Sequence, residues 1–357
     1  MTEDKLADSF ADAVYHWEHH NFDLNSVSKF ALSQLAREHG RTVVITGEGS
    51  DELFCGYPSF KAEFLSETDL AMPNSTLAQE HETRQALHRL AQGENWRPDA
   101  TRDTARTSSD RGTNGSISDS ILSFHPKNDL YQAWVQEKRQ EAWGTRETVI
   151  ASQPSDVQDK IRKKWHPAHS ALYLWNKSNL PNVILTCLGD RSEMAHGVEG
   201  RTPFLDHHLV EYVNALPPSV KIRYDPPDNS NSGGGKNGTD NNQSTGTVLQ
   251  SLTEKWILRQ AARPYVMDEP YNRKKEIFKA PSRWPRGGRM HRMFGGLLSR
   301  QAVENLGFVD YAVVEKALAN AFGEDGDPLL FRVLCYTGGW VVLSKQFGIK
   351  AATAEDW

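Results

Sequence analysis

Three carboxylates stand close together behind a glycine in the run Thr46-Gly47-Glu48-Gly49-Ser50-Asp51-Glu52. Gly47 and Gly49 let the backbone approach a ligand and take positive φ. The amides of Gly49, Ser50 and Asp51 would open the next helix, where phosphate is favoured. Acids beside a phosphate site make chemical sense with a divalent cation, since Mg²⁺ typically bridges one or two carboxylates and substrate phosphates. The same residues could also form an ordinary acidic first turn. This stretch alone leaves both readings open.

The elements that must position these acids can be read around them. Thr42-Val43-Val44-Ile45 is a short β-branched run ended by glycine, the pattern of a buried strand. Residues 37 to 40 read as a helix end, and Leu53-Phe54 begins the next helix. The acids therefore sit at the carboxyl end of a strand, where open parallel sheets bind ligands. Upstream, Ser26 reads as the N-cap of a helix whose Val27, Phe30, Ala31 and Leu35 share a face. His16-Trp17-Glu18-His19-His20 lacks metal-ligand spacing and reads as a helix turn or strand edge.

The chain has 357 residues, 38% of them hydrophobic, and a net charge of -5. That balance argues against a general nucleic-acid or polyanion binder. Cys55, Cys187 and Cys335 are odd in number and far apart, which points to a reducing, cytoplasmic setting rather than a disulfide framework. The acidic start has no signal-peptide core, and no apolar run approaches the roughly 18 residues of a membrane span.

Further on, Leu172 to Leu188 is dense in apolar residues and predicts a largely buried helix reaching Asp190 and Arg191. Asp190, Arg191, Glu199 and Arg201 interrupt this apolar region, either as ion pairs closing a core or as parts of a site. Asp206 is a good N-cap for a helix bearing Leu209, Val210 and Val213. Leu252 to Tyr265 predicts an amphipathic helix carrying Lys255 and Arg259. Two polar stretches, 66–126 and 224–248, read as insertions, with a helix near Leu77–Leu90 in the first. Ser232-Gly233-Gly234-Gly235-Lys236 lacks the strand, helix and spacing of a phosphate loop. Residues 302–347 predict two or three packed helices.

Three blocks in order carry a resemblance: T-G-E-G-S-D-E-L-F-C-G-Y at 46–57, D-R-S-E-M-A-H-G-V-E-G-R-T-P-F-L-D-H at 190–207, and E-K-W-I-L-R-Q-A followed by R-K-K-E-I-F-K-A-P at 273–281. The chain resembles the C-terminal synthetase domain of glutamine-dependent asparagine synthetases. Amide-forming relatives such as β-lactam synthetases share the first two blocks. The resemblance implies a predominantly helical α/β fold: a partial parallel nucleotide-binding sheet of the adenine nucleotide alpha hydrolase kind, then a helical C-terminal region. It divides the chain into a partial ATP-pyrophosphatase segment (1–65), an insertion (66–127), a helical core (128–223), a second insertion (224–248) and a helical C-terminal part (249–357).

The implied reaction is a ligase reaction using ATP and Mg²⁺. The side-chain carboxylate of aspartate is adenylated with release of pyrophosphate, and ammonia derived from glutamine then displaces AMP. The resemblance places Thr46, Gly47, Gly49, Ser50 and Asp51 against ATP, Asp51 on the metal and Lys275 at the pyrophosphate. Glu48 and Lys275 are the implied catalytic residues, with Asp190, Arg191, Glu199 and Arg201 in support. Two departures accompany these matches. Thr2 stands where the family's glutaminase domain has its nucleophilic cysteine, and the 46 residues before Gly47 contain no S-G-G-x-D-S loop. Another segment or a partner chain is then expected to supply that loop. The alternatives are a non-catalytic module of the same fold and a β-lactam-synthetase-like enzyme.

Overall fold

The computed structural model describes residues 1–20, 22–94, 128–141, 145–226, 249, 251–273, 275 and 280–356. Most of insertion 66–126, the Ser232–Lys236 stretch, and Lys274 with 276–279 of the basic block lie outside the described residues. Helices dominate, and the described sheets are small, so the fold is α/β and mostly helical. Two large apolar clusters account for most of the packing. In the first, α1 (Glu3–Trp17) and α2 (Asn25–Glu38) pack with the helices Arg289–Leu297, Tyr311–Asn320 and Pro328–Phe347. Phe10, Phe294 and Phe331 meet there edge to face. In the second, α4 (Ser59–Ser66) packs on the helices His81–Glu94 and Pro167–Lys177 through Phe60, Leu65, Leu87, Leu174 and Trp175.

The acidic turn lies between them. Strand β1 (Val43–Ile45) leads into it, and α3 (Ser50–Leu53) leads out. Strand β2 (Glu199–Arg201) runs parallel to β1, with Val43 opposite Glu199, Val44 opposite Gly200 and Ile45 opposite Arg201. A third, smaller cluster seats α3: Leu53, Phe54 and Val213 pack with Phe204, Leu205, Ile257 and Leu258. The R-T-P-F-L-D block therefore serves as the floor under the turn. Gly49 shows why glycine is needed here. Its φ is +95°, and a Cβ would fall 2.5 Å from the Leu205 side chain.

Three local expectations are corrected. The strand read as buried is not: Val43 is 49% and Ile45 79% exposed. Side chains alternate across a strand, and only Val44 turns inward. Among the described residues β1 has β2 as its sole strand neighbour, and the face bearing Val43 and Ile45 has no covering layer. Ser26 is not the cap of α2; the helix starts at Asn25, whose amide is received by Asp23. Leu252 does not begin a helix. Leu252–Thr253 is strand β4, paired antiparallel with β3 (Arg223–Tyr224), because Leu252 is wanted in the second core. The helix starts at Trp256, after Lys255 in the left-handed region.

Elsewhere Asp206 caps the helix His207–Asn214, accepting from the amides of His208 and Leu209. The dense run at 172–188 forms two helices, Pro167–Lys177 and a π-helix Leu180–Arg191. Trp17 closes α1 from inside the core, its indole donating to Ser192 Oγ at 2.7 Å.

Candidate functional site

The strand sets the first position. Thr46 N donates to Arg201 O at 2.8 Å and extends the β1–β2 ladder by one bond. Glu48 follows, half-buried, and its Oε1 lies 3.0 Å from Lys29 Nζ on α2. Burial works against ionisation of Glu48. The Lys29 charge and hydrogen bond, helped by the Thr46 side chain, overcome it and hold the carboxyl below its usual range. Glu52 closes the turn, accepting from Gly49 N at 2.9 Å and from the Tyr57 hydroxyl. Burial pushes the Glu52 carboxyl up, and burial also keeps the Tyr57 phenol protonated as a donor.

Asp51 is the centre of the other half. Its Oδ1 lies 2.8 Å from Lys255 Nζ, and its Oδ2 lies 3.1 Å from Lys275 Nζ. One carboxylate between two ammonium groups leaves a local surplus of one positive charge. Lys255 also donates to Ser50 Oγ at 3.2 Å. The lysines are held by different devices. Lys255 N donates to Phe54 O at 3.2 Å, pinning the head of its helix to the tail of α3. Lys275 belongs to a segment clamped by Arg259, which donates to Tyr271 O at 2.8 Å and Arg273 O at 3.2 Å. Arg259 is fixed by Glu254 at 2.9 Å. Glu254 also receives Lys275 N at 3.4 Å and pairs with Lys61 at 3.6 Å. Lys275 Nζ lies 5.7 Å from the centre of the Tyr57 ring, a cation–π distance.

Two small residues make the approach possible. Gly56 passes so close to Asp51 that a Cβ would lie 2.0 Å from Oδ1 and 2.3 Å from Lys255 Cε. Just before it, Cys55 has φ +56° and is fully buried. That is the left-handed region, where a small side chain is under less strain than a bulky or β-branched one.

The sequence-named residues thus divide. Thr46, Gly47, Glu48, Gly49, Ser50 and Asp51 form the turn, and Lys275 reaches Asp51. Arg201 contributes its backbone, while its side chain pairs with Glu199 at 2.8 Å on the exposed face of β2. Arg191 turns to Glu18 at 3.2 Å and to the Trp17 carbonyl, joining α1 to the π-helix. Asp190 is exposed. Sequence reading did not assign Lys29, Tyr57, Glu254 or Lys255 to this site. Lys255 lay within the quoted E-K-W-I-L-R block, so a signal for it existed. Lys29 had none, being a charged residue on an amphipathic helix.

The asparagine synthase family model matches residues 1–335, which contain every one of these positions. The chain belongs to the asparagine synthase family. It is 37% identical over 367 aligned residues to the protein named Amidase chyE of Penicillium rubens. It is 35% identical over 364 to that named Amidase chry2 of Gibberella zeae. Each alignment covers 99% of this chain and 49% of the relative. The chain thus spans about half the length of the curated relatives it matches.

The residues present suit the metal and nucleotide that the family implies. No group of three metal-ligating side chains occurs among the described residues. A site of that kind is not what Mg²⁺ needs beside phosphates, where one or two carboxylates suffice. Asp51 is one carboxylate, and Lys255 and Lys275 are cations held beside it. Among the described residues no helix is long and apolar enough to cross a membrane.

Proposed function

We propose that this chain carries the pyrophosphate-facing part of an ATP-dependent amide-forming site. The observation that carries the reading is the division of charge at one strand end. Asp51, between Lys255 and Lys275, makes a cationic half, and Glu48, three residues earlier, is a separate anion. In the reaction a substrate carboxylate oxygen attacks the α-phosphorus of ATP, and the bond to the pyrophosphate oxygen breaks. Ammonia then attacks the acyl carbon, and AMP departs with its electron pair. Lys255 and Lys275 receive the charge that develops on the leaving pyrophosphate. Asp51 would hold Mg²⁺, which when bound would supply neutralising charge for phosphate oxygens. Glu48 takes the proton that the attacking nitrogen must lose, the task of a nearby charged carboxylate.

The remaining contacts to ATP come from a further segment or a partner chain that completes the sheet beside β1. The exposed Val43 and Ile45 support this, since parallel sheets are normally covered on both faces. The acyl substrate is aspartate by resemblance. The name amidase, borne by both relatives, favours a second reading, amide formation on another carboxylic acid, as in β-lactam-synthetase-like enzymes. The reading includes a reducing, cytoplasmic setting, which the free thiols Cys55, Cys187 and Cys335 suit.

The test is pyrophosphate release from ATP by this chain joined to the segment or partner that completes the sheet, with Mg²⁺, an ammonium salt and a panel of carboxylic acids that includes aspartate. Acid-dependent release that Glu48→Gln abolishes supports the reading. Calorimetric titration with ATP decides against it if no heat appears, in favour of a binding or relic module of the same fold.

A further inference from the structure

Lys29 is required by nothing in the chemistry above, yet it makes the closest charged contact of the residue that chemistry depends on. It projects from α2, between Val27 and Phe30, which anchor that helix in the first core. Its Nζ lies 3.0 Å from Glu48 Oε1. We propose that Lys29 is a positioning residue for Glu48, tying the carboxylate to α2 so that it stays charged and stays apart from the Lys255–Lys275 pair. The inference rests on the proton-accepting role proposed for Glu48.

The physical need for such a tether follows from the surroundings. Proton acceptance needs Glu48 as a carboxylate, and that carboxylate is half-buried, where the charged form is disfavoured unless a cation is held beside it. Among the described residues, few groups face Glu48. From α2 comes Lys29. From the segment before β2 comes Glu193, whose carboxyl is pushed up by burial and then by the Glu48 charge. From the turn itself comes the Thr46 hydroxyl, and beyond α3 lies the Tyr57 phenol, which feels Glu48 as a like charge would. Lys29 is the cation in that set. Without it Glu48 faces Glu193 alone, and protonation relieves the repulsion. Anchoring on α2 also separates the two halves mechanically, because Lys255 and Lys275 are held from the opposite side by Phe54 and Arg259.

The experiment compares the wild-type chain with Lys29→Met, Lys29→Gln and Lys29→Arg. The primary readout is carbon-13 carboxyl NMR, with Glu48 assigned by its loss in Glu48→Gln. The expected result is an upward move of the Glu48 midpoint by about one pH unit in Lys29→Met and Lys29→Gln, with recovery in Lys29→Arg. One unit lowers the charged fraction about tenfold at pH values below both midpoints. The second readout is the pH profile of pyrophosphate release, whose acid limb should move by the same amount with KM for ATP little changed. An unchanged Glu48 midpoint in both neutral variants overturns the proposal. So does an unmoved acid limb. If the wild type, completed by the segment or partner that supplies the remaining ATP contacts, releases no pyrophosphate, the catalytic reading fails by itself, and the carboxyl titration still decides the tether. Thermal unfolding of each variant separates a lost tether from a lost fold, and Lys29→Gln covers a Lys29→Met chain that does not fold.

Discussion

Lys275 meets Asp51 at 3.1 Å across 224 residues of chain. Its partner on the other oxygen, Lys255, arrives from 205 residues beyond Ser50. Both lysines are partly buried, so each is held in place rather than free to swing. Truncating either one leaves Asp51 with a single cation and removes the local positive surplus. Lys275→Met and Lys255→Met should each weaken ATP or pyrophosphate binding by about ten- to one-hundredfold, the scale of a lost charge-assisted contact. Calorimetry on the variants measures this, and Arg259→Ala should reproduce part of the Lys275 loss by loosening its segment.

Gly56 is where the site and the fold compete for the same space. Gly56→Ala puts a methyl 2.0 Å from Asp51 Oδ1 and 2.8 Å from the Asp51 Cα, a backbone atom that cannot simply rotate away. The expected outcome is a loss of about 1–3 kcal/mol in stability, as for other overpacked cores. Weaker phosphate binding should follow. Thermal or denaturant unfolding checks the first part.

Lys221 offers a gain. It is fully buried, its Nζ has no hydrogen-bond partner among the described residues, and Cys55 lies nearby. Burial lowers its pKa from 10.5. Between that lowered value and 10.5 the unfolded chain binds a proton that the folded chain has released, so stability rises with pH across the interval. Lys221→Met removes an uncompensated buried amine and should stabilise the fold by about 1–2 kcal/mol at neutral pH. It should also flatten the alkaline rise, which unfolding curves at several pH values would register.

Acid should weaken the fold through two histidines. His20 and His169 are each lowered by burial from 6.5 to about 4. Between 6.5 and 4 the unfolded chain takes up protons that the folded chain refuses, so stability falls as pH drops through that window. Asp23 works in the opposite sense. Burial raises it from 3.8 to about 6, so the folded chain holds the extra proton and gains stability as pH falls from 6 toward 3.8. His88, His166, His196 and His291 are also lowered, while Glu52 and Glu193 are raised like Asp23, so the lowered histidines outnumber the raised carboxyls and the net slope is acid loss. His169→Asn should reduce that loss and Asp23→Asn should steepen it, as read by melting temperature against pH.

Much of the turn was legible because its chemistry is local. Gly49 must be small and left-handed, Asp51 must follow it by two, and Asp206 caps its helix by the ordinary geometry of an aspartate. Lys275 was legible only by resemblance, since nothing in spacing links positions 51 and 275. The misread elements failed for physical reasons. Thr42 to Ile45 has the composition of a covered strand, but burial depends on what lies against the strand, not on its own residues. Leu252 fits a helical face equally well, yet the pairing with Tyr224 and the pull of the second core make it strand. Lys29 was invisible because a solvated lysine on a helix looks the same whether or not a carboxylate waits opposite.

The two ion-paired halves close loops of very different size. Lys29 finds Glu48 within a 19-residue hairpin of helix and strand, whereas Asp51 must wait for residues 255 and 275. Loop closure grows costlier with separation, and distant contacts come late. During synthesis Glu48 and Lys29 can therefore assemble while the lysines that pair with Asp51 are still inside the ribosome. A nascent chain lacks the paired lysines at Asp51 until residues 255–275 emerge.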